Sequence, residues 1–119
     1  MKRVMLLAFG DLNDKLCKEL SKTYTVLTCS DQKKAEEILL SKPDALILNM
    51  LLPGIDSLAL LQANVELLPP VIIAITSLIN DDLLNELNTV NATCLIRIPC
   101  DLELLLDRLS EQLAKKCLS

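Results

Sequence analysis

Residues 42–61 read KPDALILNMLLPGIDSLALL and place a strand, a turn and a helix in succession. Pro43 disfavours helix at the residue before it, and the segment 44–49 that follows, with its apolar run 45–48, predicts a buried strand. The pair Pro53-Gly54 predicts a turn. Asp56 stands where a short third helix begins and is expected to cap it. This segment therefore reads as one β–loop–α unit.

The same alternation of a short apolar run and an amphipathic stretch continues on both sides of that unit. We expect strands over residues 4–8, 24–28, 44–49, 71–76 and 94–98. We expect helices over residues 12–21, 31–40, 57–65, 81–88 and 101–116, with Asp11 capping the first and Ser30 or Asp31 the second. Strands that are apolar on both faces are typical of a parallel sheet with helices on each side. The sequence predicts a single α/β domain over residues 1–119, a flavodoxin-like (βα)5 doubly wound sheet in the order 2-1-3-4-5.

Composition excludes several classes of function. Apolar residues make up 51% of the chain, but one Phe, one Tyr and no Trp leave little surface for stacking a flavin. A net charge of −4 gives no general attraction to nucleic acid. His is absent and the five cysteines form no CxxC pair, which argues against common zinc sites and indicates a reducing, cytoplasmic compartment. The apolar runs are shorter than the roughly 20 residues of a membrane span, so we expect no membrane contact.

Candidate functional residues are those at the carboxyl ends of the strands, because ligands of open α/β sheets bind there. At the ends of strands one, three, four and five the chain places Ala8, Phe9, Asn49, Thr76, Ser77 and Ile98.

Residues 42–61 closely resemble the third strand and following loop of the receiver domains of bacterial two-component response regulators. The segment in that family reads PD, four apolar residues, the phosphate-accepting Asp, two residues, LPG, one residue and DG. Residues 70–77 (PVIIAITS) resemble the fourth strand with its switch Thr, and residues 94–103 (CLIRIPCDLE) resemble the fifth strand. The resemblance covers essentially the whole chain. It implies a bacterial source and a place in two-component or transcriptional regulation, with an effector domain expected outside this chain.

The resemblance fails at the positions that carry the family's chemistry. Asn49 aligns with the phosphate-accepting Asp, and Ala8 and Phe9 align with the acidic pair that binds the metal. Ile98 aligns with the family's Lys and Leu95 with its aromatic switch residue, whereas Thr76 and the small Ser77 are retained. Ser57 stands where the family has Gly.

Each departure removes part of phosphoryl transfer. A neutral amide is a far poorer nucleophile than a carboxylate, and Mg²⁺ needs hard oxygen ligands. Without a metal or a Lys, the charge that develops on a transferred phosphoryl group is not neutralised. We therefore expect no autophosphotransfer, no catalytic residue, no metal and no cofactor.

Simpler structural roles compete with each of these positions. Asn49 is expected to be a polar residue that closes a strand, and Thr76 to bond locally or to retain a switch role. Asp11 and Asp14 are expected to serve the start of a helix rather than a metal. Cys94 and Cys100 flank strand five and are not expected to form a disulfide.

An interaction face is the remaining functional candidate. The last helix carries a leucine stripe, and Leu104 and Leu106 fall partly outside it. Surplus leucine can mark a protein interface, although packing against neighbouring helices would also account for it. The resemblance implies a homodimer through the fourth helix, fifth strand and fifth helix, with Arg97 on the strand.

The sequence thus predicts a non-enzymatic pseudo-receiver, a regulatory module that works through protein contacts without phosphorylation. Two alternatives stay open. One is a receiver that uses another acceptor, such as Asp56 or Ser57. The other is a small-molecule sensor whose ligand occupies the emptied pocket near Ala8, Phe9 and Asn49.

Overall fold

A computed structural model describes residues 2–29, 31–50, 56–77, 80–90, 92, 94–97 and 101–118, the last helix with side chains as far as residue 115. Five strands alternate with five helices, as the sequence predicts. The strands are β1 (Arg3–Leu7), β2 (Thr25–Thr28), β3 (Ala45–Asn49), β4 (Val71–Thr76) and β5 (Cys94–Arg97). The helices are α1 (Gly10–Leu20), α2 (Gln32–Leu40), α3 (Ser57–Ala63), α4 (Asp81–Thr89) and α5 (Leu102–Leu118).

The strands form one parallel sheet in the order β2-β1-β3-β4-β5. This is the flavodoxin-like doubly wound topology that the sequence predicts. Every residue of β3 and of β4 is buried, because these central strands have neighbours on both edges and helices on both faces.

Alternation along the strands divides the core into two layers. Ile47 of β3 and Ile73 of β4 share one layer with α1 and α5. Leu46, Leu48 and Ala74 lie in the other layer, with α2, α3 and α4. Because successive side chains of a strand point to opposite faces, one apolar run supplies both layers.

Side-chain caps fix the starts of four helices, and at α5 the Asp101 carboxylate accepts a hydrogen bond from the backbone N–H of Glu103, at 3.1 Å. The carboxylates of Asp31 and Asp56 accept hydrogen bonds from the backbone N–H groups of Lys34 (2.8 Å) and Ala59 (3.0 Å). Asn80 caps α4 in the same way through the N–H of Leu83, at 2.8 Å. Such caps satisfy donors that have no partner within the helix, so the sequence itself fixes where these helices begin.

The cap predicted for the first helix is wrong. Phe9 occupies the N-cap of α1 with no side-chain cap bond, and Asp11 lies in the first turn. The helix begins at Gly10, whose φ of +65° is a left-handed conformation that glycine adopts at little cost. Asp11 therefore acts through the positive end of the helix dipole and does not cap the helix.

One further boundary differs from prediction. The third helix ends at Ala63 and a 3-10 turn, Val65–Leu67, follows it, so the predicted helix to residue 65 is too long. Arg97 lies in β5, and residue 98, where the sequence predicts the end of that strand, lies outside the described residues. Within the described part of the chain, none of the helices combines the length and the apolar character needed to cross a membrane.

Candidate functional site

The strand register brings the candidate residues of three strands to one end of the sheet. Leu7 is level with Leu48, and Asn49 is level with Ile75. The residue after Leu7, Ala8, therefore comes beside Asn49. The N–H of Met50 donates to the carbonyl of Ile75 at 2.9 Å and continues the ladder past the end of β3. Adjacent strands lie about 4.8 Å apart, so this end of β1, β3 and β4 is a single compact surface.

Asn49 and Thr76 are buried polar residues at this surface. Their exposed fractions are 4% and 1%, and each is engaged in an interaction with other groups of the protein. Across the described residues, no buried side-chain nitrogen or oxygen lacks a hydrogen-bond partner. Asn49 is therefore a satisfied component of the core, as expected of a polar residue that closes a strand.

Ser57 forms a bond at this site that the sequence analysis did not anticipate. Its Oγ donates to the backbone carbonyl of Asn49 at 2.8 Å, and the Ser57 side chain is 2% exposed. This bond ties the first residue of α3 to the last residue of β3. The sequence did carry a signal for this bond, since Ser57 stands after Asp56 where the receiver family has Gly. A serine hydroxyl so close to a strand end readily finds a backbone acceptor.

Ala8 and Phe9 make the first strand's end apolar. Ala8 is half-buried and packs against the core layer of α1 and α5, and Phe9 is 49% exposed at the start of α1. Neither side chain has an oxygen to offer a cation. In the described residues there is also no group of three His, Cys, Asp or Glu side chains that could hold a metal ion. The residues at this end do not fit the Mg²⁺ that the receiver fold implies.

The two groups considered as substitute phosphate acceptors, the Asp56 carboxylate and the Ser57 hydroxyl, already form hydrogen bonds within the protein. The Asp56 carboxylate caps α3, and the buried Ser57 hydroxyl donates to Asn49. Both groups serve the junction of β3 and α3.

The remaining predicted site residues are dispersed. Ser77 is exposed, and Leu95 is half-buried against the core layer of α2, α3 and α4. Ile98 and the predicted turn at Pro53-Gly54 lie outside the described residues.

The residues of the predicted interaction face differ in how far they are exposed to solvent. Leu104 of α5 is 44% exposed and Arg97 is exposed at the end of β5. Leu106 packs against the core layer that contains α1 and α5, so packing accounts for much of its apolar character. Leu84 of α4, which the sequence analysis did not single out, is 39% exposed. Leu84 lies three residues before the buried Leu87, beside the packed face of α4, and its exposure becomes clear only from the structure.

Among the described residues, Cys29, just after β2, is the titratable group with a clear environmental effect. Partial burial is the largest cause and the nearby Asp31 carboxylate adds to it, whereas Lys34 opposes them; the net effect raises the pKa of the Cys29 thiol to about 11. A thiol with a raised pKa is a weak nucleophile at neutral pH, which argues against redox chemistry at Cys29.

Solved structures of response-regulator receiver domains share this fold. A CheY-like receiver domain protein from Methanospirillum hungatei superposes with a TM-score of 0.87 at 18% identity, covering 97% of this chain and 95% of that one. The signal receiver domain of a putative Luxo repressor protein from Vibrio parahaemolyticus gives 0.86 at 21% identity, with 98% and 93% covered. The BeF3-activated N-terminal receiver domain of Klebsiella pneumoniae RstA gives 0.79 at 26% identity, with 95% and 98% covered. No protein-family model matches the sequence, and no curated protein resembles it significantly.

Proposed function

We propose that this chain is a pseudo-receiver, a regulatory module that acts by protein contact and without phosphoryl transfer. The receiver fold supports the first part of the proposal. The second part rests on one observation, which is the composition of the sheet's carboxyl end. Ala8, Phe9 and Asn49 stand where the resemblance aligns the carboxylates of an active receiver.

The chemistry at those positions is unsuited to phosphoryl transfer. Asn49 presents an amide, which is a poor nucleophile toward phosphorus, and its side chain is buried. Ala8 and Phe9 supply no ligand that would bring Mg²⁺ to a phosphodonor. The engagement of Asp56 and Ser57 at the start of α3 also argues against a substitute acceptor.

A protein-binding role is supported by the exposed apolar residues of the helices beside β5. Leu84 and Leu104 are both more than one-third exposed, and Arg97 lies at the end of β5. These three residues are a candidate contact surface on α4, β5 and α5. Exposed leucines next to charged groups are common in surfaces that proteins recognise.

The test is intact mass after incubation with acetyl phosphate and Mg²⁺, beside an active receiver as the positive control. We expect no phosphoryl adduct on this chain when the control is labelled. A stoichiometric, acid-labile adduct would overturn the proposal. In that case the variants Asp56→Asn and Ser57→Ala would show whether either residue had become the acceptor.

A further inference from the structure

The strand β2 forms one edge of the sheet, and among the described strands β1 alone lies beside it. The N–H of Thr25 donates to the carbonyl of Lys2 at 2.9 Å, on the side of β1. Successive residues of a strand direct their N–H and C=O groups to opposite sides. The groups of Leu27 therefore point toward β1, whereas those of Val26 and Thr28 point outward from the edge of the sheet.

This edge lacks the features that usually keep strand edges from pairing. Residues 23–30 read TYTVLTCS and contain no charged residue, no Pro and no Gly. The edge strand on the other side of the sheet, β5, contains Arg97, and Pro99 follows it in the sequence. Charged residues and proline are common means of blocking an edge, so β2 is the more open of the two.

We propose that β2 pairs with β2 of a second copy of this chain, antiparallel and about a twofold axis. The two sheets then continue into each other across the axis. The backbone groups that point outward at an edge are satisfied in full by another strand, and an uncharged strand of this kind is complementary to itself. This inference does not depend on whether the chain accepts a phosphoryl group.

The hydrogen bonds within the chain select one register for this pair. The N–H of Tyr24 already donates to the carbonyl of Leu20 at 2.8 Å, which leaves Val26 and Thr28 as the residues with outward groups to pair. Val26 of one copy then lies opposite Thr28 of the other and exchanges two hydrogen bonds with it, and the axis produces this pair twice. Leu27 lies on the axis, opposite Leu27 of the second copy.

The charges of α1 are complementary under the same axis. This helix contacts β2 and exposes Asp11 and Asp14 near its start and Lys15 and Lys18 farther along. None of these side chains forms an ion pair with another described residue. Because α1 of the second copy runs in the opposite direction, the acidic start of each helix lies toward the basic part of the other. Unlike charges therefore favour the antiparallel orientation.

The charges of α2, in the core layer on the other face of the sheet, run in the opposite order. Lys33 and Lys34 precede Glu36 and Glu37, so the twofold axis again brings unlike charges toward each other. Lys34 already forms an exposed ion pair with Glu37 at 3.7 Å, and we therefore expect the larger contribution from α1.

The pairing is expected to be weak and to stop at two copies. β2 has four residues, so the interface is smaller than the roughly 800 Å² per partner of a standard complex. We expect a Kd of about 10 µM to 1 mM. A twofold contact occupies β2 of both copies and leaves no free β2 edge for a third.

A dimer of this form presents the candidate contact surface twice. β5 lies at the edge of the sheet opposite to β2, so α4, β5 and α5 of each copy stay on the outside of the pair. A partner with two matching sites would bind such a dimer more tightly than a monomer, because its second contact is intramolecular.

Sedimentation velocity of the whole chain, with a reducing agent present, is the first test. We expect the average mass to rise with concentration from the monomer's 13.2 kDa toward twice that value and to level off there. A chain that stays monomeric up to about 1 mM would overturn the proposal. Growth past two chains would also overturn it, because the twofold contact is closed.

A pair of substitutions at Thr28 tests the backbone hydrogen bonds. Thr28→Pro removes the outward N–H and leaves the bonds to β1 intact, as proline does on natural edge strands. We expect it to weaken dimerisation about tenfold or more. Thr28→Val keeps the N–H and the β-branched shape and should dimerise like the natural chain. Circular dichroism checks that both variants are folded, and equal Kd values for the two would contradict the pairing.

Charge substitutions at Leu27 test the position of the axis. Leu27→Lys and Leu27→Glu each place like charges directly opposite each other, so each variant alone should be monomeric. An equimolar mixture should form a dimer, because lysine of one copy then faces glutamate of the other. Folded variants that associate like the natural chain would show that copies meet elsewhere, and a mixture that stays monomeric would show that Leu27 does not face itself. Either result would overturn the β2 contact.

Discussion

The fold restricts the side chains in the middle of the sheet more than those at its carboxyl end. In the middle, β3 and β4 are buried along their whole length and supply both core layers. At the carboxyl end the backbone follows the same fold, but its side chains are Ala8, Phe9 and Asn49. A fold is maintained by the pattern and volume of many apolar residues, whereas an activity depends on a few groups at one place. A fold can therefore persist when the side chains at one end of its sheet change.

The largest expected effect comes from the middle of the sheet. Ile73→Ala removes a fully buried side chain from β4 and leaves a cavity in the layer that holds α1 and α5. We expect the free energy of unfolding to fall by about 2–5 kcal/mol in urea titrations. Leu40→Ala is the matched control, since 64% of Leu40 is exposed, and it should cost less than about 0.5 kcal/mol. Equal losses for the two variants would contradict the two-layer core.

A smaller effect is expected when carboxylates are restored at the carboxyl end. In the variant Ala8→Asp, Phe9→Asp, Asn49→Asp, three carboxyl groups come together, and the carboxylate at position 49 replaces a buried amide. We expect a loss of about 1–3 kcal/mol at pH 7 without metal. Burial and like charges raise the pKa of these carboxyls in the folded state, so the loss should shrink as the pH falls toward 4.

Magnesium should then separate the variant from the natural sequence. About 10 mM Mg²⁺ is expected to recover on the order of 1 kcal/mol in the triple variant, because the metal binds only the folded state. For the natural chain, the change in Tm caused by Mg²⁺ should be no larger than the change caused by NaCl of equal ionic strength. A specific Mg²⁺ shift in the natural chain would contradict the site described above.

The sequence predicts the middle of the sheet better than its end. The strand order and the burial of β3 and β4 follow from apolar runs of strand length, which leave few topologies. The predicted cap Asp56 is confirmed, and of the two candidates Ser30 and Asp31 it is Asp31 that caps α2. A short polar side chain before an amphipathic stretch is a direct local signature of such a cap. Phe9, which takes the N-cap in place of Asp11, has no such signature. The position of Phe9 depends on the path of the backbone from β1 to Gly10, and the local sequence pattern does not show that path.

Contacts between elements were the other part that the sequence could not provide. The bond from Ser57 to the carbonyl of Asn49 joins residues eight apart, and it requires α3 to begin against the end of β3. The half-burial of Leu106 and the exposure of Leu104 likewise depend on the rotation of α5 against the sheet. Residue types at these positions allow both outcomes, and tertiary packing decides between them.

The smallest effect on stability belongs to Cys29, at the carboxyl end of β2. Its thiol pKa is raised from 9.0 to about 11, so the proton is held more tightly in the folded state than in the unfolded state. The corresponding stabilisation is complete below pH 9 and is lost as the pH rises toward 11, and at neutral pH Cys29→Ser should leave Tm nearly unchanged.

Alkylation by iodoacetamide near pH 8.5 should be slower at Cys29 than in the unfolded chain by on the order of tenfold or more, because only the thiolate reacts. Asp31→Asn, which keeps a capping side chain on α2 but removes the charge, should accelerate alkylation of Cys29 a few-fold and leave Cys94 unaffected. Equal rates at Cys29 in the folded and unfolded chain would show that burial at this end of the sheet does not control its chemistry.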